Sequence, residues 1–160
     1  MTNERIPTPH AITSRRITAT LGWVASLAGL LLTSLASAQS TQTVWDGVFT
    51  TAQASRGEAA YQKACASCHG PALGGDAFAP PLVGEPFTAR WQDGTLSDVL
   101  VLIKATMPQD MPGKLSADIY ADIVAFLLKS NNYPAGQREL GQDPDQVKDV
   151  RFTKAPSPGR

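Results

Sequence analysis

Cysteine is nearly missing from this chain: of its 160 residues only Cys65 and Cys68 carry a thiol. Histidine is as scarce, at positions 10 and 69, and methionine occurs only at positions 1, 107 and 111. No charge of either sign prevails, because 14 Lys+Arg balance 14 Asp+Glu. The chain therefore offers no basic stripe to a phosphate backbone, which excludes nucleic acid as a partner class. Strict apolar–polar alternation, the mark of a half-buried strand, is absent as well, so no sheet is expected. Two cysteines do not make a disulfide framework, and a bridge between positions 65 and 68 would close too short a loop to restrain the unfolded chain much.

What is present begins with an address. Arg15 and Arg16 precede an apolar run, ITATLGWVASLAGLLLTSL, which ends in small residues at Ala36, Ser37 and Ala38. This order marks residues 1–38 as a signal peptide, cut after Ala38, and places the protein in the bacterial periplasm. The alternative is an uncleaved anchor, which would bring membrane association, but the run is short for a span and diluted by Thr, Ser and Gly. Removing 1–38 leaves 122 residues with 11 basic and 13 acidic side chains, a formal charge of −2. His69 is then the sole histidine, and Met107 and Met111 are the sole methionines.

The thiols and that histidine stand together in CASCH, Cys65 to His69. A zinc site needs about four such ligands, and these three leave it one short. A redox Cys-x-x-Cys pair belongs beside a βαβ pattern, whereas here a Gly/Pro-rich loop follows. Covalent haem attachment is the remaining reading of Cys-x-x-Cys-His. The thiols add across two porphyrin vinyl groups, and the two-residue spacer lets both sulfurs reach one edge of the ring. The next residue is turned under the iron, so His69 supplies the proximal nitrogen. One motif implies one haem c. With no second histidine the distal ligand is a methionine, and because Met107 and Met111 each precede a proline in one loop, the residues alone do not separate them.

Residues 39–54 form a lead-in, with Trp45 and Phe49 as anchors, to a domain at 55–132. Thr50 and Gln53 make a capping-box pattern that opens a helix running to about Ala64. Gly57, Ala60, Tyr61 and Ala64 share one face of it, a stripe suited to a close helix crossing. Residues 70–90 are dense in Gly and Pro and read as a wrapping loop. Thr95 caps a helix over LSDVLVLIKAT, with Leu96, Val99, Leu100 and Ile103 at helical spacing, and Pro108 ends it. Ser116 caps the last strong helix, about Ala117 to Ser130, whose buried stripe is Ile119, Ile123, Phe126 and Leu127. The extension 133–160 reads as partly disordered, with a short helix conceivable near Pro144 to Val150. The fold class is all-α, three main helices and Gly/Pro-rich loops around one covalently bound haem that supplies much of the core.

With these features in order, the chain resembles the class I cytochrome c family from Ser55 to Asn131. GEAAY is similar to the N-terminal helix in which Gly57 and Tyr61 cross the C-terminal helix, and DIVAFL to its partner, with Ile123 and Phe126. APPLVG resembles the family's Gly-Pro-x-Leu turn, with Ala79 in place of the usual Gly. The resemblance implies that the Pro80 carbonyl accepts the Nδ1–H of His69. ATMPQDMPGKLS, VWDG, FTARW and YPAGQREL further resemble a subgroup associated with quinoprotein dehydrogenases. By that likeness Met107 is the distal ligand and Met111 a bystander. Trp91 either donates its indole N–H to a haem propionate or is a plain core aromatic, and Arg90 either pairs with a propionate or is solvated.

The implied function is single-electron transport from a dehydrogenase dependent on pyrroloquinoline quinone (PQQ) toward a terminal oxidase. Two axial ligands leave no open position for a substrate, which argues against an enzyme. The alternatives are a haem enzyme or sensor whose methionine is displaced by a small ligand, and a fixed electron-transfer subunit of a larger oxidoreductase.

Overall fold

Thr50 opens the first helix, and what its expected capping partner does sets much of the architecture. In the computed structural model, which describes residues 41–157, the Thr50 hydroxyl accepts from the Gln53 N–H of α1, Thr51–Ala64. Gln53 does not return the bond to Thr50. Its buried amide instead pairs with the backbone of Leu140, donating from Nε2 at 3.1 Å and accepting at Oε1 from the Leu140 N–H at 2.6 Å. The capping box is therefore only half formed, because Gln53 satisfies a buried segment 87 residues away in the chain.

The remaining elements are α2, Ala66–His69; α3, Glu85–Trp91; α4, Leu96–Thr106; α5, Ala117–Ser130; and a 3₁₀ turn at Pro144–Gln146. Among the described residues there is no strand, only isolated bridges from Arg151 to Thr43 and Thr95. The all-α class holds. The stretch 70–90 is not loop throughout, since α3 begins within it. Pro86 sits in the first turn, where its missing N–H costs nothing. At α4 the capping box is complete, Thr95 and Asp98 each accepting the other's backbone N–H. Ser116 precedes α5 by position, but its hydroxyl makes no capping bond.

Helix α5 is the centre of the molecule. Every residue from Tyr120 to Leu128 is buried, which a single stripe of Ile119, Ile123, Phe126 and Leu127 does not describe. A helix apolar nearly all round must be covered on several sides. Helix α1 covers one, through Gly57. A Cβ placed there would fall 1.8 Å from the Asp122 carbonyl oxygen and 2.4 Å from its carbon. Tyr61 packs one turn further along, its ring centroid 5.3 Å from that of Phe126. Helix α4 contributes Leu96, Val99 and Leu100 to the same core.

The core does not stop at Asn132. Tyr133, Leu140, Val147, Val150 and Phe152 are all buried in one apolar cluster with Val44, Phe49 and the helices. Backbone bonds tie this extension to the lead-in: Val44 N–H to Arg151 O, Arg151 N–H to Gln42 O, and Gly136 N–H to Phe49 O. Gly47 and Gly136 cross so closely that a Cβ on Gly136 would meet the Gly47 carbonyl at 1.9 Å. Arg56 adds an ionic clasp, with both Asp122 and Glu139 carboxylates within 3.0 Å of its guanidinium. The chain thus supplies an extensive apolar core of its own. The proposed signal peptide at 1–38 lies outside the described residues, as do the last three residues of the tail. No helix among the described residues is long and apolar enough to cross a membrane.

Candidate functional site

Helix α1 ends at Ala64 because the chain tightens into a separate four-residue turn, α2, which carries the CASCH motif. Cys65 stands at the junction and its N–H still bonds to Tyr61 O. Its thiol is half-buried, and burial, then the neighbouring Cys68 charge, pushes it up to about 11. At neutral pH it is a thiol and not a thiolate, so it is not indiscriminately reactive. Cys68 is exposed, and neither cysteine is in a disulfide.

His69 closes the turn and is buried. Its Nδ1 lies 3.0 Å from the Pro80 carbonyl oxygen. A carbonyl only accepts, so Nδ1 carries the proton and the neutral ring keeps its lone pair on Nε2. That is the tautomer a metal ligand needs, with the partner of the other nitrogen orienting the ring.

The loop that presents Pro80 is tightly cross-bonded. Gly75 N–H donates to His69 O, and Leu82 N–H to Leu73 O. Asp76 accepts from the N–H groups of Phe78 and Ala79, which hold its carboxyl below the usual range. Gly75 has φ +66°, and a Cβ there would lie 2.3 Å from the Ala79 carbonyl oxygen, so this turn requires glycine. From the other side, the Tyr61 hydroxyl donates to Gly70 O at 2.7 Å, fixing the residue after His69.

Asn131 was legible in the sequence only as a helix end, yet it fastens the loop. Its Nδ2 donates to Leu82 O and Leu127 O, and its Oδ1 accepts from the Gly84 N–H. No local pattern marks this role, because the partners are 47 and 49 residues away.

Met107 is the C-terminal cap of α4, partly buried, and its carbonyl accepts from the Tyr120 hydroxyl at 2.6 Å. Met111 is exposed. Trp91 lies at the edge of the core. Its ring is stacked 6.4 Å from Phe152, and the Arg90 guanidinium sits 5.2 Å above it. These contacts give both side chains partners within the protein.

The donor set fits a covalently held haem: two free thiols, at the start of the turn and within it, precede a histidine whose ring is already oriented for ligation. It does not fit zinc, since no cluster of three or more His, Cys, Asp or Glu side chains gathers among the described residues.

Residues 52–127, just under half of the chain, match the family model described as cytochrome c oxidase, cbb3-type, subunit III. No curated protein and no solved structure matches the chain. The match runs through α1, CASCH, the Pro80 turn and Met107, and ends within α5. The match indicates a class I c-type cytochrome domain at residues 52–127, which implies covalently bound haem c as cofactor and redox proteins as partners.

Proposed function

We propose that this chain is an exported, periplasmic carrier of single electrons with one haem c, fixed by Cys65 and Cys68 and ligated by His69 and Met107. The single observation that carries this reading is the 3.0 Å bond from His69 Nδ1 to Pro80 O, one residue after the second cysteine. Bound haem supplies the one-electron chemistry. The protein's share is to hold and tune: the thiols anchor the ring, His69 donates from Nε2, and Pro80 keeps the imidazole oriented and more basic. Met107 as the second ligand would raise the reduction potential relative to a second histidine. Met107 is favoured over Met111 because it is partly buried at the fixed end of a helix, whereas Met111 stands exposed.

Protein exported with haem should be red, and its haem should stay with the chain through denaturation and acid extraction. The ferric form should show the weak far-red sulfur-to-iron band. Met107→Ala should abolish that band and Met111→Ala should keep it. Haem that extracts freely, or the reverse pattern between the two methionines, would overturn the assignment.

A PQQ-dependent dehydrogenase is the proposed electron donor, with the respiratory chain as the acceptor. A shuttle must leave as readily as it arrives, so the interface should be small, under about 1,200 Å² in total. A formal charge of −2 on residues 39–160 gives weak long-range steering, so the rate of transfer should change only mildly with ionic strength. Stopped-flow reduction by a purified dehydrogenase of this class across a salt series tests both points. No reduction at any salt removes this donor, and a steep slope contradicts the weak steering.

The description of the matched family as an oxidase subunit favours a second reading, in which the same domain is a fixed electron-transfer subunit. Gel filtration of a native extract followed by haem staining separates the two. A free carrier elutes at the size of this chain, a subunit with a larger complex.

A further inference from the structure

We propose that Tyr120 is the positioning residue for Met107, holding the backbone from which that side chain leaves to meet the iron. The proposal rests on the reading of Met107 as the distal ligand.

Met107 sits where α4 gives out. Its N–H still donates to Ile103 O at 2.8 Å, but its backbone is extended, φ −126° and ψ 150°, so its carbonyl leaves the helix ladder. That carbonyl is taken over by a different helix: the Tyr120 hydroxyl, from the first turns of α5, donates to it at 2.6 Å. The Tyr120 ring is 2 % exposed and belongs to the core, so the hydroxyl is delivered from a rigid base. The Met107 residue is consequently held on both sides, by α4 at its nitrogen and by α5 at its oxygen.

Beyond it the chain is loosely kept. Gln109 to Lys114 are exposed, and the bonds there are local turns, Met111 N–H to Pro108 O and Lys114 N–H to Met111 O. A thioether is a neutral, weak ligand, and ordering the residue that presents it carries an entropic cost. The Tyr120 bond meets that cost in the folded chain before any ligation. Removing the hydroxyl also leaves a partly buried carbonyl without this donor, which loosens the peptide further.

The test is Tyr120→Phe, which keeps the buried ring and deletes one donor, read in the ferric haem-loaded protein by titration with imidazole. Imidazole binds only when the methionine has left the iron, so its affinity reports the methionine-off population. Tyr120→Phe should bind imidazole about tenfold more tightly than the unmodified protein, the effect of one hydrogen bond to a partly buried acceptor. Its far-red band should weaken at equal haem content. Tyr133→Phe removes a hydroxyl from another buried tyrosine and should leave the imidazole affinity unchanged. The titration is run well below the melting temperature of each variant, measured on the same haem-loaded sample, so that unfolded chains do not contribute to it.

Equal imidazole affinity in Tyr120→Phe and the unmodified protein would overturn the proposal. So would an equal rise in Tyr133→Phe, which would show a general loosening of the core. A far-red band that survives Met107→Ala would overturn the ligand reading itself, whatever Tyr120 does.

Discussion

A chain ended at Asn132 is expected to lose cooperative folding, even though it keeps the whole span matched by the cytochrome family model. The five side chains removed with the extension, Tyr133, Leu140, Val147, Val150 and Phe152, are each no more than 6 % exposed. Burial of a large apolar side chain stabilises by about 2 kcal/mol, so their joint loss rivals the whole stability of an ordinary domain, about 5–15 kcal/mol. The loss is not only of apolar contact. The buried amide of Gln53 would be left without Leu140, the Trp45 ring without Tyr133, and the Phe87 and Trp91 rings without Phe152. A buried amide stripped of its partner is itself destabilising by about 1–3 kcal/mol. Circular dichroism melts of the full chain and of the truncated chain, both loaded with haem under the same export conditions, decide the matter. A truncated protein that melts cooperatively near the temperature of the full chain would show that the extension is dispensable.

Gly57→Ala should be the most damaging single methyl addition in α1. Alanine favours an isolated helix over glycine by about 1 kcal/mol, so propensity alone predicts stabilisation. The structure reverses the sign. The new Cβ would stand 1.8 Å from a backbone oxygen of α5 and 3.0 Å from the Ile123 nitrogen, and backbone does not rotate away as a side chain can. Helices α1 and α5 must separate, which opens the packing of Tyr61 on Phe126. Overpacking of this kind costs about 3 kcal/mol, at the upper end of the usual range because the obstacle is main chain. In a domain of about 100 residues that lowers the melting temperature by roughly 10–20 °C. Glu58→Ala, on the neighbouring exposed position, serves as the control and should change little. A Gly57→Ala protein as stable as the parent would mean that the crossing is looser than described.

Helices are legible in this sequence where the signal is local. Thr95 with Asp98, the spacing of Leu96, Val99 and Leu100, and the proline at 108 delimit α4 without any tertiary information. The same holds for the small-residue stripe of α1, since a face of Gly57, Ala60 and Tyr61 has little purpose except close approach. The local signal is lost where an element is short or its partner remote. Helix α3 has only seven residues inside a Gly/Pro-rich stretch, too few to show a period. Gln53 carries a capping-box signature, yet its amide is claimed by Leu140 because satisfying buried backbone outweighs a half-exposed cap.

What the sequence by itself determined is the chemistry on offer: which atoms can bind sulfur to vinyl, which nitrogen or thioether can reach iron, and the all-α class. Those follow from residue types and short spacings, which covalent geometry and helical periodicity fix within a few positions. Only the tertiary structure decided how that chemistry is held. The lone pair of His69 is assigned by a carbonyl eleven residues away, and the Met107 backbone by a hydroxyl on another helix. The Pro80 loop is tied by Asn131, and the core is completed by an extension whose apolar residues are too sparse to announce burial. Such contacts depend on where distant segments meet, and that is settled by packing a single core at once, a condition no local stretch of sequence carries.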